Sequence, residues 1–373
     1  VREIVAQMSD DQVRQMLLER LDAVAEAEAQ EAANRPTLSD RLDAVWGAFY
    51  QPILTALSLI PVLLVKQIEV ISNFFNSFGA GGVLTLLGLT AVALAAGFTV
   101  EKIVLKLLRK GVQAKTEHQA TSSLSGTFGF LLRRLWCEII GIAVFYAVTR
   151  SIGFMLLTPE QIAIAAPAIR NLVMIPRLVA ALSRFVLAPN QPNVRLLSVS
   201  DHWAGFFHRN LIGLALLIGA GYFVIGFNIK FGVPMEETRI GFWFNLGLHA
   251  YIVAIAWWGR EGLIAMMAGN DPDRTAMDDT LARAYPYFAI GASGLTWLTT
   301  TLVAGFGNVR LLIEAPQITT MFWLMMAPLI DTGIRGLVRH LQPPMIGHGT
   351  VAEHAYKSNK RSFIRIGCPD RCQ

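Results

Sequence analysis

Charge is what this sequence has least of. Only 16% of its 373 residues are Asp, Glu, Lys or Arg, where a soluble chain of this length carries about a quarter. The shortage is uneven: residues 1–45 are charge-rich, while 81–340 is a series of apolar runs broken by short basic or Gly/Pro connections. That pattern excludes a pair of ordinary soluble domains and specifies a polytopic membrane protein with a small polar head. Cysteine is scarce as well. Three cysteines cannot build a disulfide framework, and Cys137, inside an apolar run, reads as a small packing residue. No Gly-rich nucleotide loop of either common type is present. None of the seven histidines pairs with another at i,i+4 spacing, and "NDPDRTAMDD" (270–279) lacks the glutamate that would close a calcium loop. We therefore expect no cofactor, no metal and no catalytic residue. An enzyme built on His202 and His208 would lack facing acid–base pairs.

What is there is apolar helix. The head, "SDDQVRQMLLERLDAVAEAEAQEAANRP", places Ser9 as an N-cap with Asp10 and Asp11 in the first turn. Val13, Met16, Leu17, Leu21 and Val24 then recur at helical spacing. After Pro36 a second helix restarts. "ILTALSLIPVLLV" (53–65) is interrupted by Pro61 and followed by Lys66 and Glu69, so we expect an interfacial or membrane-entering helix over 46–78. Seven longer runs follow, at about 82–103, 127–149, 161–187, 205–228, 240–262, 285–306 and 317–338. Each is long enough to cross about 30 Å of hydrocarbon as a helix. The expected fold is all-α: a helical head over 1–80, a bundle of about seven transmembrane helices over 81–340, and a basic linker over 341–373. Lys and Arg concentrate in alternate connections: Lys102, Lys106 and Arg109, then Arg184 and Arg195, then Arg260 and Arg274, then Arg335 and Arg339. The others hold little beyond Arg150, Lys230, Arg239 and Arg310. The bias puts the head outside and the C-terminus in the cytoplasm. It also accounts for the net charge of +5 without a nucleic-acid partner.

Charges inside spans carry the functional signal, because an ion within the bilayer costs at least about 2.5 kcal/mol. "APAIRNLVMIPRLVAALSRF" spaces Arg170, Arg177 and Arg184 seven apart, nearly two turns, so a regular helix puts all three on one stripe. Such a stripe is a candidate for coupling to lipid headgroups or to membrane tension. Equally, Arg170 and Arg184 can snorkel to opposite surfaces and leave Arg177 deep. Glu138 and Asp331 are the expected buried partners for Arg177, and a midplane site of Glu138, Arg177 and Asp331 would suit a secondary transporter. No internal repeat accompanies it. Small residues (Gly88, Ala93, Gly97, Ala215, Gly219, Gly226, Gly291, Gly294) permit close helix packing. Pro167, Pro176 and Pro328 should kink their spans. Trp203, Trp257, Trp258 and Tyr285 fit an interfacial belt.

The head stretch "MSDDQVRQMLLERLDAVAEAEAQ" resembles the periplasmic N-terminal helix of larger bacterial channels of the MscS-type, small-conductance mechanosensitive family. The order of spans over 80–340 fits the same family more loosely. The resemblance implies tension-sensing helices around a homo-heptameric pore in the bacterial inner membrane, with a role in osmotic protection and membrane lipids as partners. It also implies a Gly/Ala-rich pore helix followed by a soluble vestibule. "LVAGFGNVRLLIE" (302–314) carries Gly305-Phe306-Gly307, but another apolar run follows, so we read it as a Gly-rich turn ending a helix. The chain opens on Val1 without a visible signal peptide and departs from pattern after Gly367, at "CPDRCQ". We expect a fragment cut before its pore, with Cys368 and Cys372 lacking the further ligands of a zinc site.

Overall fold

In the computed structural model, residues 10–33, 37–116, 124–189, 199–269, 275–307 and 316–341 are described, together with Arg195 and Leu197. The tail with Cys368 and Cys372, most of the expected linker, and 270–274 of the candidate calcium loop lie outside them. The described residues are helical, with no strand among them, so the fold is all-α. In chain order the helices are α1 (Asp10–Ala33), α2 (Leu38–Ser58), α3 (Ile60–Thr116), α4 (Leu124–Leu156), α5 (Pro159–Ala168), α6 (Ile175–Leu187), α7 (Asp201–Lys230), α8 (Met235–Thr238), α9 (Ile240–Trp258), α10 (Arg260–Ala268), α11 (Ala276–Gly305) and α12 (Pro316–Leu341). A π-turn, Ile169–Met174, joins α5 to α6.

Six helical stretches are long and apolar enough to cross a membrane: Ile60–Leu108, Leu135–Leu156, Pro159–Leu187, Asp201–Lys230, Ile240–Trp258 and Ala276–Gly305. They contain most of the first six expected spans. The seventh expected span, α12, is helical but is not among the six. Gln317, Asp331, Arg335 and Arg339 dilute its apolar run.

The described parts of Val1–Leu54 and Thr300–Ile313 make one compact unit, and those of Thr55–Thr299 and Glu314–Gln373 make another. In the first unit, Thr37 starts α2, its hydroxyl and amide donating to Asp40 Oδ2 at 2.7 and 2.8 Å. The apolar positions of α1, including Leu17 and Leu21, are exposed. Ala48 packs on Gly305 so closely that a Cβ at 305 would overlap the Ala48 carbonyl. Gly305 ends α11, and Gly307 turns the chain with φ 67°, the helix-ending role expected of the Gly-Phe-Gly stretch.

In the second unit, α3 begins at the break made by Leu59 and Pro61, because proline is tolerated in the first turn of a helix but not in its interior. It is broken again at Gly79, whose φ of 67° and ψ of 162° only glycine adopts cheaply. The 60–78 half is pinned to the α7–α9 connection. Lys66 bridges Glu237 at 2.9 Å, Asn73 donates to the Phe231 carbonyl at 3.0 Å, and Phe74 meets Phe227 and Phe231 edge-on. Two apolar clusters mark the ends of the bundle. One joins Val70, Leu86, Leu157, Ile164, Phe231 and Val233; the other joins Leu187, Ala204, Phe207, Leu263, Met266 and Tyr285. Between them, α5–α6 runs one way and α7 returns. Tyr285 is therefore a core residue, its hydroxyl donating to the Met325 carbonyl at 2.8 Å, and not a belt residue. Trp257 and Trp258 are exposed, as a belt requires.

Candidate functional site

The arginine-bearing span is where local sequence forces an irregular helix. Pro176 has no N–H, and its ring would clash with the carbonyl four residues back. The chain answers with the π-turn at Ile169–Met174, in which the Ile175 N–H donates to the Arg170 carbonyl, five residues back. The Asn171 carbonyl then has no donor at either usual position. Ile175 is already committed, and Pro176 has nothing to give. That carbonyl faces Gly219 of α7, where a Cβ would overlap its oxygen. Gly219 is required here by close approach. Of the other small residues, Gly97 fits under Thr149 and Phe145, while Gly88, Gly226, Gly291 and Gly294 have open space.

The π-turn also breaks the expected stripe. One π-turn takes up about one residue more than an α-turn, which swings everything before it by roughly a quarter turn. Arg170 is accordingly exposed, its Nε donating to Asn171 Oδ1 at 3.2 Å. Arg177 and Arg184 stay aligned on α6, about 10 Å apart along its axis.

Arg177 pairs with Glu101 of α3, Nη2 to Oε1. Its guanidinium lies over the rings of Phe98 and Phe145, at 4.9 and 4.5 Å from their centroids. Phe145 is fully buried, and Glu101 is only 7% exposed. Gly141 of α4 makes room for the carboxylate, since a Cβ there would sit 3.1 Å from Glu101 Oε1. Arg177 thus ties α6 to α3 and α4 at one point. The pair is not saturated: Arg177 Nη1 and Glu101 Oε2 are buried without a hydrogen-bond partner among the described residues. A buried ion pair gains most when its remaining donors and acceptors are also satisfied. This one holds a donor and an acceptor in reserve.

Two turns on, Arg184 grips Glu138 of α4 with two bonds, Nε to Oε1 at 3.2 Å and Nη2 to Oε2 at 2.7 Å. Both partners are about a third exposed. Glu138 is therefore the partner of Arg184 and not of Arg177. Asp331 is exposed on α12 and is not a buried partner of Arg177. The three residues that a midplane transport site would bring together go to separate places.

Sequence reasoning missed Glu101, although it is the sole acidic residue of the 82–103 run. It stands next to Lys102, near the end of that run. Two further groups at this end of the bundle are engaged between helices. His208 is half-buried on α7, and its Nδ1 lies 2.7 Å from Ser183 Oγ of α6. Ser183 donates to the Ala180 carbonyl, so the imidazole N–H is the donor of the pair. Arg195, expected as a topology marker, is buried. It closes the α6–α7 connection by donating to the carbonyls of Leu187 and Val199 and pairing with Asp201.

The arrangement combines an irregular helix, a bare carbonyl against glycine, and two arginine clamps of unequal depth. Comparisons with protein-family models, curated proteins and solved structures find no match to this chain.

Proposed function

We propose that this chain is a tension-sensing membrane region of a mechanosensitive ion channel of the MscS-type. The observation that carries the reading is the unsaturated Arg177–Glu101 clamp on a span already broken by Pro176 and the π-turn. Tension favours whichever state occupies more area in the membrane plane. A contact gates only if its free energy differs between the two states. Arg177 has one free donor and Glu101 one free acceptor, so tilting α6 against α3 changes how completely the pair is satisfied. Many apolar side chains on the flanks of the bundle, such as Leu84, Leu87 and Met155, are exposed and offer the surface on which lipids pull.

The same reading puts the bundle in a bacterial inner membrane. The cluster end that includes Val70 and Phe231 faces the periplasm, and Arg184, Arg195 and Arg260 gather toward the cytoplasm. Assembly as a homo-oligomer, a heptamer by family resemblance, belongs to the same proposal, as does a role in osmotic protection.

The test is a distance measurement in liposomes between spin labels at Leu107→Cys on α3 and Leu178→Cys on α6, in a background with the native cysteines replaced. Lysolipid added to one leaflet should shift the distance distribution, and Arg177→Met should move it in the absence of lysolipid. Distributions that ignore both perturbations would rule the reading out.

A further inference from the structure

A second feature lies at the other end of the bundle. Between the 60–78 half of α3, α7 and α9 is a crevice of about 440 Å³ lined by Ile60, Leu63, Leu217, Ile240, Trp243 and Phe244. That volume is within the ~300–1,000 Å³ of ligand sites. Its walls are apolar, but the chain around one end is not. On α7 and α9, which run antiparallel, Gly221 faces Phe244, and Ile225 faces Gly241. The same register brings Asn228 toward Arg239. On α3, Gln67 follows Lys66, which is fixed to Glu237.

Four side chains on these three helices and the connection before α9 hold buried polar atoms with no hydrogen-bond partner among the described residues: Gln67 Nε2, both polar atoms of Asn228, Arg239 Nε and Trp243 Nε1. Asn228 is 2% exposed. Leaving such groups unpaired costs about 1–3 kcal/mol each. Trp243 lines the crevice, Arg239 directly precedes the lining Ile240, and Gln67 stands one turn beyond the lining Leu63, so a partner entering the crevice is within their reach. Arg239, with its φ of 49°, ends α8 as a left-handed helix cap.

We propose that this crevice binds one anionic phospholipid of the surrounding bilayer, with an acyl chain among Leu63, Leu217 and Phe244 and its phosphate on Arg239. The unpaired donors Gln67 Nε2 and Trp243 Nε1 and the Arg239 guanidinium suit phosphate and ester oxygens. The apolar walls suit one chain. A helix from a second copy, about 10 Å across, is too wide for a crevice of this size. The proposal needs only that the bundle sits in a bilayer, and it stands or falls apart from tension sensing.

The experiment is native mass spectrometry of the full chain released from nanodiscs containing phosphatidylglycerol and phosphatidylcholine. The wild type should retain phosphatidylglycerol preferentially. Arg239→Gln should weaken that preference by about tenfold, as loss of a charge-assisted hydrogen bond implies. Leu63→Trp, which fills the crevice, should lower retention of both lipids. Leu84→Trp, on an exposed face elsewhere on α3, should change nothing. Wild-type retention in folded Arg239→Gln and Leu63→Trp overturns the proposal. So does an effect of Arg239→Gln alone, which would mean a headgroup at the surface with no chain in the crevice. Cross-linking of two copies through Leu63→Cys would also overturn it. If Leu63→Trp does not fold, quenching by acyl-brominated phosphatidylglycerol decides: the wild type should show a component absent from Trp243→Phe, and its absence refutes the site.

Discussion

Arg177 and Arg184 stand two turns apart on one helix, and each reaches a glutamate on another, yet they are held differently. The deeper arginine makes one bond to a nearly buried carboxylate and rests on two phenyl rings. The shallower one makes two bonds to a carboxylate that solvent or headgroups can reach. The better hydrogen-bond geometry belongs to the pair with less at stake. Where screening is available, a bidentate grip contributes modestly. Where it is not, even a single bond between buried charges is indispensable, because either partner alone would be stranded.

The largest expected effect follows from that difference. Arg177→Ala should destabilise the bundle by about 3–5 kcal/mol, the cost of an uncompensated buried carboxylate, measured by denaturant titration in mixed micelles. The pair Arg177→Met with Glu101→Gln should recover most of the loss, since no charge is left behind. If the double variant is as unstable as Arg177→Ala, the two residues are not a unit. Gly219→Ala should come next, at about 1–3 kcal/mol, because the new methyl drives α7 off the Asn171 carbonyl. Arg184→Ala should cost no more than about 1 kcal/mol and lose its effect as salt is raised. Arg170→Ala, off the stripe and exposed, should stay within about 0.5 kcal/mol of the parent. A ranking in which Arg184→Ala exceeds Arg177→Ala would invert the comparison.

The parts of this picture written in local sequence were legible. Apolar runs gave the all-α bundle and six of its spans. Pro61 and the Gly-Phe-Gly stretch gave helix boundaries where they occur. The three arginines were found because charge within an apolar run is conspicuous. Their partners were not, because pairing across 76 or 46 residues depends on how helices rotate against one another, which periodicity does not encode. Glu101, an isolated acid beside Lys102 near the end of an apolar run, carries no local sign of the arginine it meets. The stripe failed for a subtler reason. Counting at 3.6 residues per turn assumes an unbroken α-helix, and Pro176 had already announced that the turn before it would differ.

The π-turn has one more consequence, for insertions and deletions. It stores a supernumerary residue inside a span whose length the membrane fixes. Removing one residue between Ile169 and Met174 would let the segment relax to an ordinary α-helix without shortening its reach by more than about 1.5 Å. Because the π-turn absorbs one residue, the flanking segments would keep nearly their present orientation. Arg170, then six residues from Arg177, would stay about a third of a turn off its stripe. A single-codon deletion there would thus be absorbed locally, leaving α5 and both clamps nearly where they are. The same deletion between Arg177 and Arg184 in α6 would separate them by about a quarter turn.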